Sequence, residues 1–173
     1  HDEDERLRVL APLRDYVLKC HPLEAPALEE LAGHYVVLTG KLGAQVGQNG
    51  GDAASILLTI EAPNIEPMLM HALSADKPIG AINAAEAWGS FIYFSGVGHM
   101  EPLKRAADVA QQLGYKFGEA RCRLTFARLA YKHSESEMAH QQCQAALALY
   151  QKDRSATGQA GCVFMLGEIE SIH

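Results

Sequence analysis

Arg121, Thr125, Arg128 and Lys132 stand at i, i+4, i+7 and i+11, so a helix places three cations and a hydroxyl on one face. Residues of this type suit anion recognition rather than bond-breaking, because a guanidinium grips a carboxylate through two parallel hydrogen bonds. Asn83, Glu86 and Tyr93 lie on the helical segment about one repeat upstream and would share the same groove. The stripe also fits a second description, a solvated helix face neutralised by Glu119, Glu135 or Glu137. Arg128 and Lys132 are like charges at i, i+4, which is mildly unfavourable unless something compensates them.

A second group, His133, Glu137, His140 and Cys143, holds ligand types that a transition metal accepts. Its spacing matches no zinc pattern, Cys143 belongs to an apolar stripe, and His133 precedes the helix, so no metal or other cofactor is expected. With Arg128 nearby, the same histidines and Glu137 are the place where a nuclease-like acid–base site would sit. That defines the alternative function, a standalone cytotoxic helical protein with hydrolase activity. No GxSxG or HExxH string is present. Gly40-Lys41 is the one Gly-Lys pair, but Tyr35 and Leu42 occupy the flanking positions where a P-loop needs Gly and Ser or Thr. The expectation is therefore a protein without enzymatic activity.

The elements that must position these side chains read as helices almost throughout. Gly118, Ala120 and Cys122 recur as Gly158, Ala160 and Cys162, while Leu124, Phe126 and Ala127 recur in size class as Phe164, Leu166 and Gly167. A period near forty with small residues at fixed places marks a helical repeat array. The spacing predicts helices over 12–19, 25–44, 52–60 and 64–73, then 77–95, 99–113, 117–133, 135–151 and 156–171. Asp52 and Asn64 are expected N-caps, Pro63 separates their helices, Gly114 is the left-handed C′ residue, and Ser134 with Glu137 forms a capping box. Ala139, Cys143, Ala146, Leu147 and Tyr150 form one apolar stripe, with Ala127 and Ala139 allowing close helix approach. The fold class is all-α: antiparallel hairpins stacked as a tetratricopeptide-like right-handed superhelix of about eight or nine helices.

The net charge of −6 argues against a general nucleic-acid binder, and no run is long and apolar enough to span a bilayer. Cys20, Cys122, Cys143 and Cys162 lack metal-ligand or disulfide-framework spacing, which suits reduced thiols in the cytoplasm. The missing initiator Met and the stop at His173 inside a helical pattern suggest a piece of something longer.

The string Arg6-Leu-Arg-Val-Leu-Ala-Pro-Leu-Arg-Asp-Tyr-Val-Leu18 resembles the end of the winged-helix region in NOD-like receptor (STAND-type) NTPases of fungi. Leu31-Ala-Gly-His34 and Asn64–Leu73 resemble the helical region that follows it, and 118–170 is similar to the repeats beyond. The resemblance implies residues 1–22 as a winged-helix remnant, 23–76 as an irregular helical linking region, and 77–173 as tetratricopeptide-like repeats with the last truncated. It implies a non-catalytic sensor or scaffold arm of an NTPase switch, and the Arg121, Arg128 and Lys132 stripe adds an acidic or anionic protein or peptide partner in a concave groove. The half-repeat from Ala156 has no following helix, so self-association or fraying is expected there.

Overall fold

The computed structural model describes residues 24–171; the expected helix over 12–19, the winged-helix string and Cys20 lie outside them. Seven helices and no strands occur among the described residues. They are α1 (Ala25–Gly43), α2 (Asp52–Ala72), α3 (Ile79–Ser95), α4 (Glu101–Gln112), α5 (Lys116–Lys132), α6 (Ser136–Asp153) and α7 (Ala156–Glu170).

The second of these corrects an expectation. Residues 52–60 and 64–73 belong to one helix that runs through Pro63 and Pro67. An interior proline costs about 3 kcal/mol, but Leu58, Ile65, Leu69 and Leu73 are all fully buried along one face. Each such side chain contributes roughly 1.5–3 kcal/mol, so continuing the buried face outweighs breaking the helix. Gly51, not Asp52, is the N-cap residue, and Asn64 sits in mid-helix, donating to Glu61 Oε2 at 2.9 Å.

Three turns share one geometry at twenty-residue intervals. Gly114, Ser134 and Arg154 all have positive φ (69°, 63° and 57°). After each, an amide reaches back five residues to a helical carbonyl: Tyr115 to Ala110, Glu135 to Ala130 and Ser155 to Tyr150. This 6→1 bond closes a Schellman motif and satisfies an orphan carbonyl. Gly114 takes the expected left-handed role, whereas the capping box at Ser134 is not formed. The turn uses Ser134 as its left-handed residue and makes Glu135 the N-cap, while Glu137 accepts from Gln141 Nε2 at 2.9 Å. Among the seven described helices only α7 has a side-chain cap, Ser155, which accepts from the Gly158 amide at 3.3 Å.

The forty-residue recurrence is thus two twenty-residue helix–turn units, and the helices fold back on one another as hairpins. Cross-hairpin pairs are Tyr35–Glu61 between α1 and α2, Arg123–Gln142 between α5 and α6, and Cys143–Cys162 between α6 and α7. Odd-numbered helices lie side by side and parallel. Between α3 and α5, Ile82 meets Cys122, Glu86 meets Thr125, and Tyr93 meets Lys132, at separations of 40, 39 and 39 residues. Between α5 and α7, Tyr131 donates to the Glu168 carbonyl, 37 residues on. α1 joins the same arrangement beside α3: a Cβ on Gly43 or Gly80 would face Ala87 and Val36 respectively, 44 residues away in both cases.

Two apolar clusters follow. Trp88 and Phe91, with ring centroids 4.8 Å apart, centre the first with Leu58, Leu69, Ile82 and Leu103. The second joins Ala120, Ala127, Ala139, Cys143, Ala146 and Tyr150 to Cys162, Met165 and Ile169. Ala127 and Ala139 are both fully buried, as a close helix crossing requires.

The crossing glycines supply a test. A methyl on Gly43 would lie 2.8 Å from the Ala87 Cβ and 3.0 Å from its carbonyl oxygen, whereas one on Gly33 meets nothing within 4 Å. Gly43→Ala is expected to lose about 1–3 kcal/mol by overpacking. Gly33→Ala in the same helix is expected to gain about 1 kcal/mol from helix propensity. Urea denaturation of both variants checks the α1–α3 packing.

Candidate functional site

The stripe and its upstream companions do converge. Arg121 pairs with the Glu86 carboxylate, and the Thr125 hydroxyl donates to Glu86 Oε1 at 3.1 Å. Lys132 Nζ donates to the Tyr93 carbonyl, with the ammonium 5.2 Å from the Tyr93 ring centroid. Asn83 lies with Glu86 and Arg121 on a groove of about 350 Å³ that reaches Gly43 on α1. Arg128 is exposed and has neither ion pair nor hydrogen bond among the described residues.

Neutralisation comes from an unexpected carboxylate. Glu119 pairs with Arg123 at 2.8 Å, and Glu137 is occupied by Gln141. Glu86, on the neighbouring odd-numbered helix, is the acid that meets the stripe, and it serves two partners. Thr125 is nearly buried, so this bond satisfies a hydroxyl that would otherwise cost about 1–3 kcal/mol unpaired. Of the three cations, two therefore support the α3–α5 contact and Arg128 is left facing solvent.

Arg128 has aromatic surroundings. A depression of about 230 Å³ is lined by Tyr93, Phe94, Thr125, Arg128 and Phe164. It adjoins a second of about 280 Å³, which shares Thr125, Arg128 and Gly161 and extends past Arg121 and Phe117 to Tyr150. With the groove beside Asn83, these form a run of adjoining depressions over α1, α3, α5 and α7 that share Glu86, Ser90, Arg121, Thr125 and Arg128. Phe94 is 59% exposed and Phe164 69% exposed, large for aromatic rings. Phe164 is the repeat equivalent of Leu124, which is 7% exposed. The difference is physical: α6 and α7 cover Leu124, while no described helix follows α7. The equivalents of buried Ala120 and Ala127, which are Ala160 and Gly167, are exposed for the same reason.

The His133, Glu137, His140 and Cys143 group is dispersed. Cys143 is buried and donates to the Cys162 carbonyl at 3.3 Å, and His140 contacts Gln144 at 3.3 Å. Among the described residues no three His, Cys, Asp or Glu are placed to hold a metal ion. Cys122, Cys143 and Cys162 are free and buried. Burial, assisted by the negative charge of Glu86, pushes the Cys122 thiol up to about 12. Hydrogen bonding with Cys162 and then burial push Cys143 up as well. No described helix is long and apolar enough to cross a membrane.

Glu66 on α2 clamps the loop between α3 and α4. Its two oxygens take the His99 amide at 2.5 Å and the His99 ring Nδ1 at 2.8 Å. The hydrogen bond, and then the Coulomb attraction, raise the His99 pKa above its usual 6.5. A raised folded-state value means that the clamp's contribution is fully present below the unfolded pKa and fades as pH rises through the folded one. NMR titration of the His99 ring is expected to give a midpoint above 6.5, and Glu66→Gln should return it to about 6.5.

Against protein-family models, curated proteins and solved structures, the chain has no match.

Proposed function

We propose that the chain is a non-catalytic interaction scaffold, a tetratricopeptide-like array whose concave groove over α1, α3, α5 and α7 takes an acidic peptide. The observation that carries this reading is Arg128, a cation without a partner among the described residues, set between exposed Phe94 and Phe164 on a groove spanning four helices. Arg128 would grip a carboxylate bidentately while the rings take apolar side chains on either side. The Glu86–Arg121 pair holds the groove wall rather than the ligand. The likeness of Leu10–Val17 to the winged-helix end of fungal NOD-like receptor NTPases supports placing the scaffold as the sensing arm of such a switch. Three buried free thiols suit the cytoplasm.

Fluorescence titration with acidic peptides carrying aromatic residues tests the groove. Arg128→Glu is expected to weaken binding about tenfold or more, the worth of one charge-assisted contact. Arg121→Glu would set two carboxylates against each other and disturb the fold, so Arg128 is the informative position. Equal binding by wild type and Arg128→Glu would remove the groove from the proposal.

The array reading also places self-association at α7, with a second copy of the chain as the occupant. Residues 156–167 of α7 carry no charge, and Val163 and Phe164 are exposed beside Ala160 and Gly167. An apolar face of this kind is ordinarily covered. Sedimentation velocity is expected to show a concentration-dependent dimer that Phe164→Glu suppresses. A monomer at every concentration would exclude it.

A further inference from the structure

A second depression lies apart from the groove. It is a cavity of about 500 Å³ at the end of the array, where the α3–α4 loop and the first turn of α4 face the last turn of α5. Its polar lining is dominated by His99, Lys104, Lys132 and His133, with Glu101 the one acid and Ile92 and Met100 the apolar wall. Such a cluster is unexpected on a chain of net charge −6 and requires an account.

The loop that frames this cavity is built in place. Gly98 has φ +104°, and a Cβ there would lie 2.6 Å from the Trp88 ring and 3.1 Å from Glu66 Oε1, so only glycine fits. Glu66 holds the next residue by both its amide and its ring. Glu66 takes Nδ1, and the same contact favours the cationic imidazolium, the form in which Nε2 is a second donor.

The lysines retain unused donors. Lys132 gives one N–H to the Tyr93 carbonyl, which leaves two of its three. The Lys104 ammonium stands 5.6 Å from the centroid of the Phe126 ring and has no hydrogen bond among the described residues. The His133 amide is spent within the α5 turn, but its exposed ring has no described partner. The cavity lies beside the N-terminus of α4, a twelve-residue helix, whose dipole adds to the positive field.

We propose that this cavity binds a small organic phosphomonoester. Point-charge donors lining one cavity suit the tetrahedral oxygens of a phosphate better than the planar fork of a carboxylate. The volume exceeds that of a bare phosphate and falls in the range of small-ligand pockets, with Ile92 and Met100 to receive an apolar body. The site is separate from the peptide groove and does not rest on the function proposed for it, although Lys132 borders both.

Phenyl phosphate, with phenol as the uncharged arm, is the probe, read by amide chemical shifts of the full chain. Phenyl phosphate is expected to give saturable shifts centred on Gly96, Gly98 and His99, and phenol none. Lys104→Gln should weaken the dissociation constant about tenfold or more, in line with losing one charge-assisted contact. Lys116→Gln, which removes the same charge at the far end of α5, should leave it unchanged. Non-saturating shifts, equal binding of phenol, or the same loss in Lys104→Gln and Lys116→Gln would overturn the proposal. Wild-type affinity in Lys104→Gln would do so as well.

Discussion

Everything in the described structure depends on α5 being buried along both flanks. Cys122 and Leu129 belong to the Trp88-centred cluster, while Ala120, Leu124, Ala127 and Ala130 belong to the cluster shared with α6 and α7. A helix packed on two sides needs small side chains at its crossings, because interiors are close-packed and a single extra methylene is felt. Gly89 shows the limit: a Cβ there would lie 2.8 Å from Leu103 and 2.9 Å from Thr125. The small residues therefore set the interhelical distance, and that distance brings Glu86 within reach of both Arg121 and Thr125.

Local turn chemistry and long-range packing reinforce each other. Each Schellman turn at Gly114, Ser134 and Arg154 ends one helix and begins the next with the same chain reversal. Two of the three use a non-glycine residue in the left-handed region, which local propensity alone disfavours. The buried faces on either side keep them there. Repetition of that reversal is what stacks successive odd-numbered helices in parallel, with polar side chains presented on their shared face.

Much of this was legible in the residues. Small positions at a forty-residue period identified α5 and α7 as equivalent, and Arg121, Thr125, Lys132, Glu86 and Tyr93 do meet. The breakdown of that stripe into two occupied cations and one free one was not legible, because it depends on which carboxylate lies across the groove. Helical spacing offers Glu119, Glu135 and Glu137 as neighbours on or beside the same helix, while the actual partner is 35 residues away. Phe164 illustrates the same limit, since its repeat equivalent Leu124 is buried whereas no described helix covers Phe164 itself. The continuous α2 was hidden because interior prolines look like breaks until the opposing surface is known.

The sequence by itself determined the all-helical class, six of the seven described helices to within a few residues, the left-handed Gly114 and the crossing positions. Those features follow from backbone propensity and side-chain period, which are local. Only the tertiary structure decided that α2 runs through its prolines, that Ser134 serves a turn rather than a cap, and that Arg128 is the stripe cation without a partner among the described residues. It alone gathered His99, Lys104, Lys132 and His133 around one cavity. Each of these depends on which surfaces lie within a few ångströms of each other, and that is set by packing between segments far apart in the chain.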